Sequence, residues 1–126
     1  YDGTIPIEVF RHIKKFRFEM LAPLYKTNNN RSIYQWYVDQ MCTRHVLLPS
    51  GEVTLQTRGN PSGQISTTMD NNIVNTFLQA FEFAYVHPSF SHEQLCSEWD
   101  KCDSIVYGDD RISSWPKVQQ IMLKFG

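Results

Sequence analysis

The stretch that decides the fold is Ser104-Ile105-Val106-Tyr107-Gly108-Asp109-Asp110-Arg111-Ile112. Apolar residues that favour strands come first, and a glycine, two adjacent aspartates and another apolar residue follow. This order predicts a β-hairpin whose tip carries Asp109 and Asp110. Two neighbouring carboxylates repel each other, and a hard divalent cation such as magnesium would remove that repulsion. A plain Gly-Asp turn, in which both residues serve only the local backbone, is the alternative interpretation.

The composition is that of an ordinary globular protein. Of the 126 residues, 41% are hydrophobic and 20% are charged, and the formal net charge is −1. The chain therefore has enough apolar material for a core and, as a whole, little attraction for polyanions. No apolar run approaches the ~18 residues that a membrane span needs. Cys42, Cys96 and Cys102 lack paired spacing, which favours a reduced intracellular setting.

The ends of the chain indicate a piece of a larger protein. The sequence opens on Tyr1 without an initiator methionine, and it closes on Gly126 directly after a helical pattern. We therefore expect residues 1–126 to form a single partial domain.

Hydrophobic periodicity and turn residues predict the order of helices and strands. We expect helices over residues 6–21, 33–41, 67–85 and 92–99 and from Ser114 onward, a hairpin over 46–55 around Ser50-Gly51, and a loop over 58–66. Asn28-Asn29-Asn30 is expected to interrupt the helical pattern before the second helix. Antiparallel hairpins combined with helices predict an α+β fold with the helices on one side of a sheet.

The same periodicity assigns the faces of three helices. The second helix is marked by residues at helical spacing, and we expect the core to take up this aromatic stripe of Ile33, Trp36, Tyr37, Gln40 and Met41. In the third, the apolar face comprises Ile73, Val74, Phe77, Leu78, Phe81 and Tyr85. The first helix carries a basic stripe made of Arg11, Lys14, Lys15 and Arg17. We interpret this stripe as a solvated helix face, while contact with RNA phosphates is the alternative.

A second polar stretch leads directly into the long third helix. Gly63 permits backbone conformations that other residues avoid, and the hydroxyl residues after it can cap the helix. Thr67 and Asn71 lie four residues apart and therefore share a helix face. A hydroxyl and an amide near a helix N-terminus suit a hydroxylated, phosphorylated ligand. Ordinary capping chemistry is the alternative interpretation of this stretch.

Together, the two stretches resemble motifs B and C of viral RNA-dependent RNA polymerases. Ser62-Gly63, Thr67 and Asn71 match the Ser-Gly-x-x-x-Thr-x-x-x-Asn pattern of motif B, and Tyr107-Gly108-Asp109-Asp110 matches motif C. Tyr1-Asp2-Gly3-Thr4 is similar to the tail of motif A, whose earlier metal-binding aspartate is absent from this chain. The residues of these segments are most similar to those of astrovirus polymerases.

This resemblance implies a partial palm domain of a right-hand polymerase with an adjoining fingers segment. It implies template-directed nucleotidyl transfer in which Asp109 and Asp110 are the catalytic, metal-binding residues. The implied cofactor is Mg²⁺, with Mn²⁺ as a possible substitute.

The resemblance also implies roles in substrate binding. Asp2 and Asn71 would recognise the ribose, and Thr67 would support the same hydrogen-bond network. Ser62 and Gly63 would form a mobile loop near the templating base and the incoming nucleotide.

The implied partners are an RNA template, a primer or nascent RNA, ribonucleoside triphosphates and the rest of a viral polyprotein or replicase. The implied location is the host cytoplasm, at membrane-associated replication complexes. We expect the chain alone to be inactive, because one metal-binding aspartate, the basic fingers segment and the thumb are missing from it.

Other functions remain open at this point. A reverse-transcriptase palm also carries two aspartates on a hairpin, but it normally lacks the Ser-Gly…Thr…Asn helix. A non-catalytic RNA-binding domain that keeps the fold would be expected to lose an acid at the tip. A calcium-binding hairpin would need more oxygen ligands than the local sequence supplies. A zinc site is a further alternative, although the spacing of its candidate ligands matches no familiar structural zinc site. These ligands are His87, His92, Cys96 and Cys102.

Overall fold

The structure is a computed structural model that describes residues 3–115. Its elements are α1 (Ile7–Glu19), a short 3-10 helix (Pro23–Tyr25), α2 (Asn28–Cys42), β1 (Arg44–Leu47), β2 (Val53–Gln56), α3 (Thr67–Val86), α4 (His92–Trp99), β3 (Asp103–Tyr107) and β4 (Asp110–Ser114). Helices and two antiparallel hairpins confirm the predicted α+β class. The chain divides into two compact units, and the boundary falls between Val74 and Asn75.

The first unit begins with a pair of helices. Helix α1 confirms the predicted first helix, whereas α2 begins earlier than expected, at Asn28. The hydroxyl of Thr27 accepts a hydrogen bond from the backbone N–H of Asn30 at 3.1 Å and so caps the helix. The expected interruption at residues 28–30 is therefore wrong, because an N-cap compensates for the weak helix propensity of asparagine.

The core of the first unit lies between α1 and α2 and is completed by the beginning of α3. Its buried residues are Ile5, Phe10, Ile13, Val38, Cys42 and Val74. The prediction for α2 was wrong in part, since Ile33 and Trp36 are 57% and 65% exposed. Helix α2 instead turns Val38 and Cys42, four residues apart on one face, toward the core, with Tyr37 and Met41 at its edge.

The hairpin β1–β2 follows as predicted. The strands pair antiparallel from Arg44 opposite Gln56 to Leu47 opposite Val53. Their connection turns at Gly51, whose φ of 88° suits a residue without a side chain.

The second unit contains the later part of α3, helix α4 and the hairpin β3–β4. Helix α4 spans the predicted residues and begins with a capping box between Ser91 and Gln94. The ring of Phe83 lies 5.5 Å from that of Trp99 and 5.6 Å from that of Trp115. These aromatic contacts join α3 to α4 and to the end of the second hairpin.

The buried face of α3 in this unit differs from the predicted apolar face. Phe81 and Tyr85 are 62% and 71% exposed. The buried positions are four residues apart and are occupied by Asn75, Gln79 and Phe83, and the buried His87 continues the series just after the helix ends at Val86. The prediction failed because it assigned burial to apolar residues, whereas two amides occupy the inner ridge of this helix.

The final predicted helix lies outside the described residues from position 116 onward, and Ser114 closes β4. Within residues 3–115, no helix combines the length and hydrophobicity required for a transmembrane span.

Candidate functional site

The hairpin tip (Tyr107–Asp110) forms a two-residue turn. Tyr107 pairs with Asp110, and Gly108 and Asp109 make the connection. The φ of Gly108 is 64°, and glycine at the first position is typical of type II′ hairpin turns. The predicted hairpin with both aspartates at its tip is confirmed.

Both acids of the hairpin tip face solvent. Asp109 and Asp110 are exposed, and neither forms an ion pair with a basic residue within the described range. Unneutralised carboxylate oxygens on a tight turn are the donors that hard divalent cations prefer, so these residues fit such an ion. Among residues 3–115 no group of three acids, histidines or cysteines assembles, so the tip would supply only part of a coordination sphere.

The second predicted site is built around a buried carboxylate. Asp70, in the first turn of α3, is fully buried, and its two oxygens lie 2.6 Å from the Lys14 ammonium and 2.6 Å from the Arg17 guanidinium. The expectation of a solvated basic face is therefore wrong for Lys14, whose side chain is 1% exposed. A buried cation of this kind needs a counter-charge, and α3 supplies it.

The entry loop (residues 58–66) is tied to this ion pair. Gln64 and Ser66 both donate to the same oxygen of Asp70, at 2.9 Å and 3.0 Å. Lys14 donates to the hydroxyl of Ser66 at 3.0 Å, and the hydroxyl of Tyr37 donates to the amide oxygen of Gln64 at 2.9 Å. The loop that leads into α3 is thus held by hydrogen bonds to a buried ion pair.

Asn60 connects the entry loop to the predicted ligand-binding face of α3. Its amide is fully buried and donates to Oδ1 of Asn71 at 2.8 Å and to the carbonyl of Thr67 at 3.3 Å. Because Oδ1 of Asn71 accepts this bond, the bond fixes the orientation of the Asn71 side-chain amide. The hydroxyl of Thr67 lies 2.7 Å from the carbonyl oxygen of Pro61 and donates to it. Thr67 therefore anchors the entry loop.

Three predicted substrate-binding residues remain, namely Ser62, Gly63 and Asp2. Ser62 and Gly63 are exposed at its outer turn, and Gly63 has a φ of 82°. Asp2 lies outside the described residues, so its pairing with Asn71 stays a prediction.

Comparison with known proteins gives the family. The family model described as viral RNA-dependent RNA polymerase matches residues 1–125. The chain belongs to this polymerase family. It is 61% identical to the non-structural polyprotein 1AB of mink astrovirus 1 and 58% identical to that of ovine astrovirus 1, each over 118 residues. These matches cover 94% of this chain and 8% and 9% of the relatives' length.

A more distant relative is the non-structural polyprotein 1AB of turkey astrovirus 2. It is 44% identical over 117 residues, which cover 90% of this chain and 7% of that protein. No solved structure matches the chain. Membership of the viral polymerase family favours neither the reverse-transcriptase alternative nor the non-catalytic one.

Sequence reasoning missed several residues that hold the entry loop and the beginning of α3 in place. Lys14 follows Phe10 and Ile13 at helical spacing, so its position on the apolar stripe was a usable signal. Asp70 is an acid in the first turn of an apolar helix, where a carboxylate is favoured. Nothing in the local sequence distinguishes Asn60 from an ordinary loop asparagine.

The residues considered for a zinc site do not assemble in this polymerase segment. The Sγ of Cys96 lies 3.8 Å from Nε2 of His92, one helical turn away on α4. His87 is buried, and its Nδ1 lies 2.7 Å from the carbonyl oxygen of Phe83. The part of the chain that the structure describes holds no group of three such ligands.

Proposed function

We propose that this chain is part of the palm domain of a viral RNA-directed RNA polymerase and contributes to template-directed addition of ribonucleotides. The observation that carries the proposal is the hairpin tip, where Asp109 and Asp110 stand on a tight turn without a protein counter-ion among residues 3–115. The family match over residues 1–125 supports the same function.

The hairpin tip would bind the divalent cation, with Asp109 as a principal ligand and Asp110 in support. When bound there, Mg²⁺, or Mn²⁺ in its place, would supply positive charge that favours deprotonation of the attacking 3′-hydroxyl and departure of the pyrophosphate. The protein's own contribution is to hold the carboxylates where negative charge develops. A second ligand set would come from the motif A aspartate that precedes this chain in the pattern of the family.

Ribose recognition is assigned to the beginning of α3. Asn71 and Asp2 would bind the 2′-hydroxyl, and a site built around that hydroxyl disfavours deoxyribonucleotides because its buried groups are then left unpaired. Thr67 would keep Asn71 in place through the entry loop. Ser62 and Gly63 would contact the region of the templating base and the incoming nucleotide.

The partners follow from this activity. They are an RNA template, a primer or nascent RNA, ribonucleoside triphosphates and the remainder of a viral polyprotein, since the relatives are named as polyproteins. We place the reaction in the host cytoplasm at membrane-associated replication complexes.

The test is Asp109→Asn in the complete polymerase that contains this segment. The variant keeps the shape of the side chain and removes one charge, so we expect kcat to fall by at least ~10²-fold, on the order of 3 kcal/mol. Asp103→Asn is the matched control, because Asp103 is an exposed acid at the opposite end of the same hairpin. Turnover that survives Asp109→Asn would refute the assignment of the tip.

A further inference from the structure

A line of buried amides joins helix α3 to the hairpin tip. Asn75 and Gln79 lie one turn apart on α3, and only 3% and 1% of their surfaces are exposed. The side-chain amide of Asn75 donates to the backbone carbonyl oxygen of Gly108 at 3.1 Å. Since Gly108 directly precedes Asp109, this bond holds the backbone that carries the carboxylate.

The line continues to the second strand of the hairpin. Nε2 of Gln79 donates to Oδ1 of Asn75 at 3.1 Å, and the hydroxyl of Ser113 on β4 donates to Oε1 of Gln79 at 2.9 Å. Each amide therefore accepts one bond and donates the next. This order directs the amide nitrogen of Asn75 toward the carbonyl of Gly108.

Directional bonding distinguishes this contact from ordinary packing. A helix normally buries apolar residues on its inner face, and apolar burial does not fix an orientation. A hydrogen bond to a turn carbonyl does fix one, and amides are buried at a cost unless they are bonded. Metal ligands are commonly oriented by such outer contacts, which do not touch the metal themselves.

We propose that Asn75 is a positioning residue for the hairpin tip and that Gln79 supports it. The proposal rests on the metal-binding role of Asp109 proposed above. Asn75 acts through the backbone of Gly108, so it places the Asp109 carboxylate before any metal binds. Displacement of a reacting group by about 1 Å can cost on the order of 10²-fold in rate.

The test uses three variants of the complete polymerase. Asn75→Leu keeps the branched shape of the side chain and removes the donor to Gly108, while Gln79→Met removes the support. Glu82→Gln is the matched control, because Glu82 also joins α3 to the hairpin, through an exposed ion pair with Arg111 at 2.8 Å. The measurements are kcat, KM for the nucleotide, the Mg²⁺ concentration at half-maximal activity, and amide hydrogen exchange over residues 103–114 without metal.

We expect Asn75→Leu to lower kcat by ~10-fold or more and to raise the Mg²⁺ requirement several-fold. The KM for the nucleotide and the preference for ribonucleotides should stay unchanged, because the ribose contacts are not altered. Exchange over residues 103–114 should become faster even without metal. Gln79→Met should shift the same quantities in the same direction, and Glu82→Gln should behave as wild type.

A wild-type Mg²⁺ requirement and wild-type exchange in Asn75→Leu would overturn the proposal. If Asn75→Leu does not fold, the Mg²⁺ requirement and the hydrogen exchange of Gln79→Met test the proposal instead. Wild-type values of both quantities in Gln79→Met would again overturn the proposal. Failure of the proposed function is separately visible, since it would appear as full turnover in Asp109→Asn.

Discussion

The ammonium nitrogen of Lys14 lies 2.6 Å from a carboxylate oxygen of Asp70, and both side chains are withdrawn from solvent. Arg17 contacts the other oxygen of the same carboxylate at 2.6 Å. Helix α1 thus presents two cations to a single acid at the beginning of α3. Because Gln64 and Ser66 also bond to Asp70, the ion pair fixes the entry loop as well as the two helices.

We expect Asp70→Asn to destabilise the protein more than Lys14→Met does. Asp70→Asn leaves the buried ammonium of Lys14 without a counter-charge, a type of loss that costs about 3–5 kcal/mol of unfolding free energy. Lys14→Met leaves Asp70 paired with Arg17, so its cost should be smaller. Thermal and urea-induced unfolding of the polymerase measure this order, and the reverse order would contradict it.

The control for that comparison is the exposed ion pair between Arg11 and Asp39, at 2.7 Å. The hydrogen bond from Arg11 lowers the pKa of the Asp39 carboxyl from its ordinary value. Solvent screens this pair, so Arg11→Gln should leave the melting temperature nearly unchanged at neutral pH.

If Asn71 recognises the ribose as proposed above, Asn71→Ala should weaken the preference for ribonucleotides, and Asn60→Ala should do the same. Asn60 holds Oδ1 of Asn71, and without it the Asn71 amide loses its fixed orientation. A lost hydrogen bond of about 0.5–1.5 kcal/mol corresponds to a roughly 2–10-fold smaller preference for ribonucleotides. The measurement is kcat/KM for matched ribo- and deoxyribonucleoside triphosphates.

The control in that experiment is Asp109→Asn, which should lower turnover with both sugars equally. If Asn71→Ala lowers kcat/KM equally for both sugars and Asp109→Asn changes the sugar preference, the assignment of ribose recognition to Asn71 and of metal binding to Asp109 is wrong.

Gly63→Ala should reduce polymerase activity beyond its effect on stability. Gly63 and Gly51 have φ angles of 82° and 88°, and in both cases an added Cβ would meet no atom within 4 Å. Each alanine therefore costs only the strain of a left-handed backbone, about 1–2 kcal/mol. Gly51→Ala, in the β1–β2 connection, controls for this strain. Equal activity in the two variants would contradict a role of the entry loop in nucleotide binding.

The three cysteines should differ in their reaction with an alkylating agent. Cys96 is exposed, whereas Cys42 is buried and its burial raises the pKa of the thiol. Burial raises the pKa of Cys102 as well. Since the thiolate is the reactive form, Cys96 should react first and Cys42 only on unfolding. Mass-spectrometric mapping of labelled peptides gives the order, and early labelling of Cys42 would contradict the described core.

The parts of this fold that sequence predicts well are those that local chemistry determines. The hairpin tip follows from Gly108 between strand-forming residues, and α4 spans the residues expected from the sequence, where a local capping box between Ser91 and Gln94 starts it. These elements depend on neighbours within a few positions. A single sequence contains that information directly.

The predictions that failed depend on residues distant in the chain. Whether Trp36 or Val38 faces inward is decided by the packing of α2 on α1, and periodicity alone allows both. Lys14 is buried because it forms an ion pair with Asp70, and the local sequence around either residue does not predict this pair. The amide line from Ser113 through Gln79 to Asn75 is likewise visible only when the hairpin and the helix are placed together.

The hairpin that carries the acids also has consequences for handling the polypeptide. Ile105 and Ile112 face each other across β3 and β4, and each is about three-quarters exposed, at 74% and 75%. Among residues 3–115 this sheet has two strands, so each strand has an outer edge that no other strand of the described residues pairs with. A recombinant preparation of these 126 residues should therefore self-associate as its concentration rises. Light scattering would show this, and a charged residue in place of Ile112 should restore a monodisperse sample.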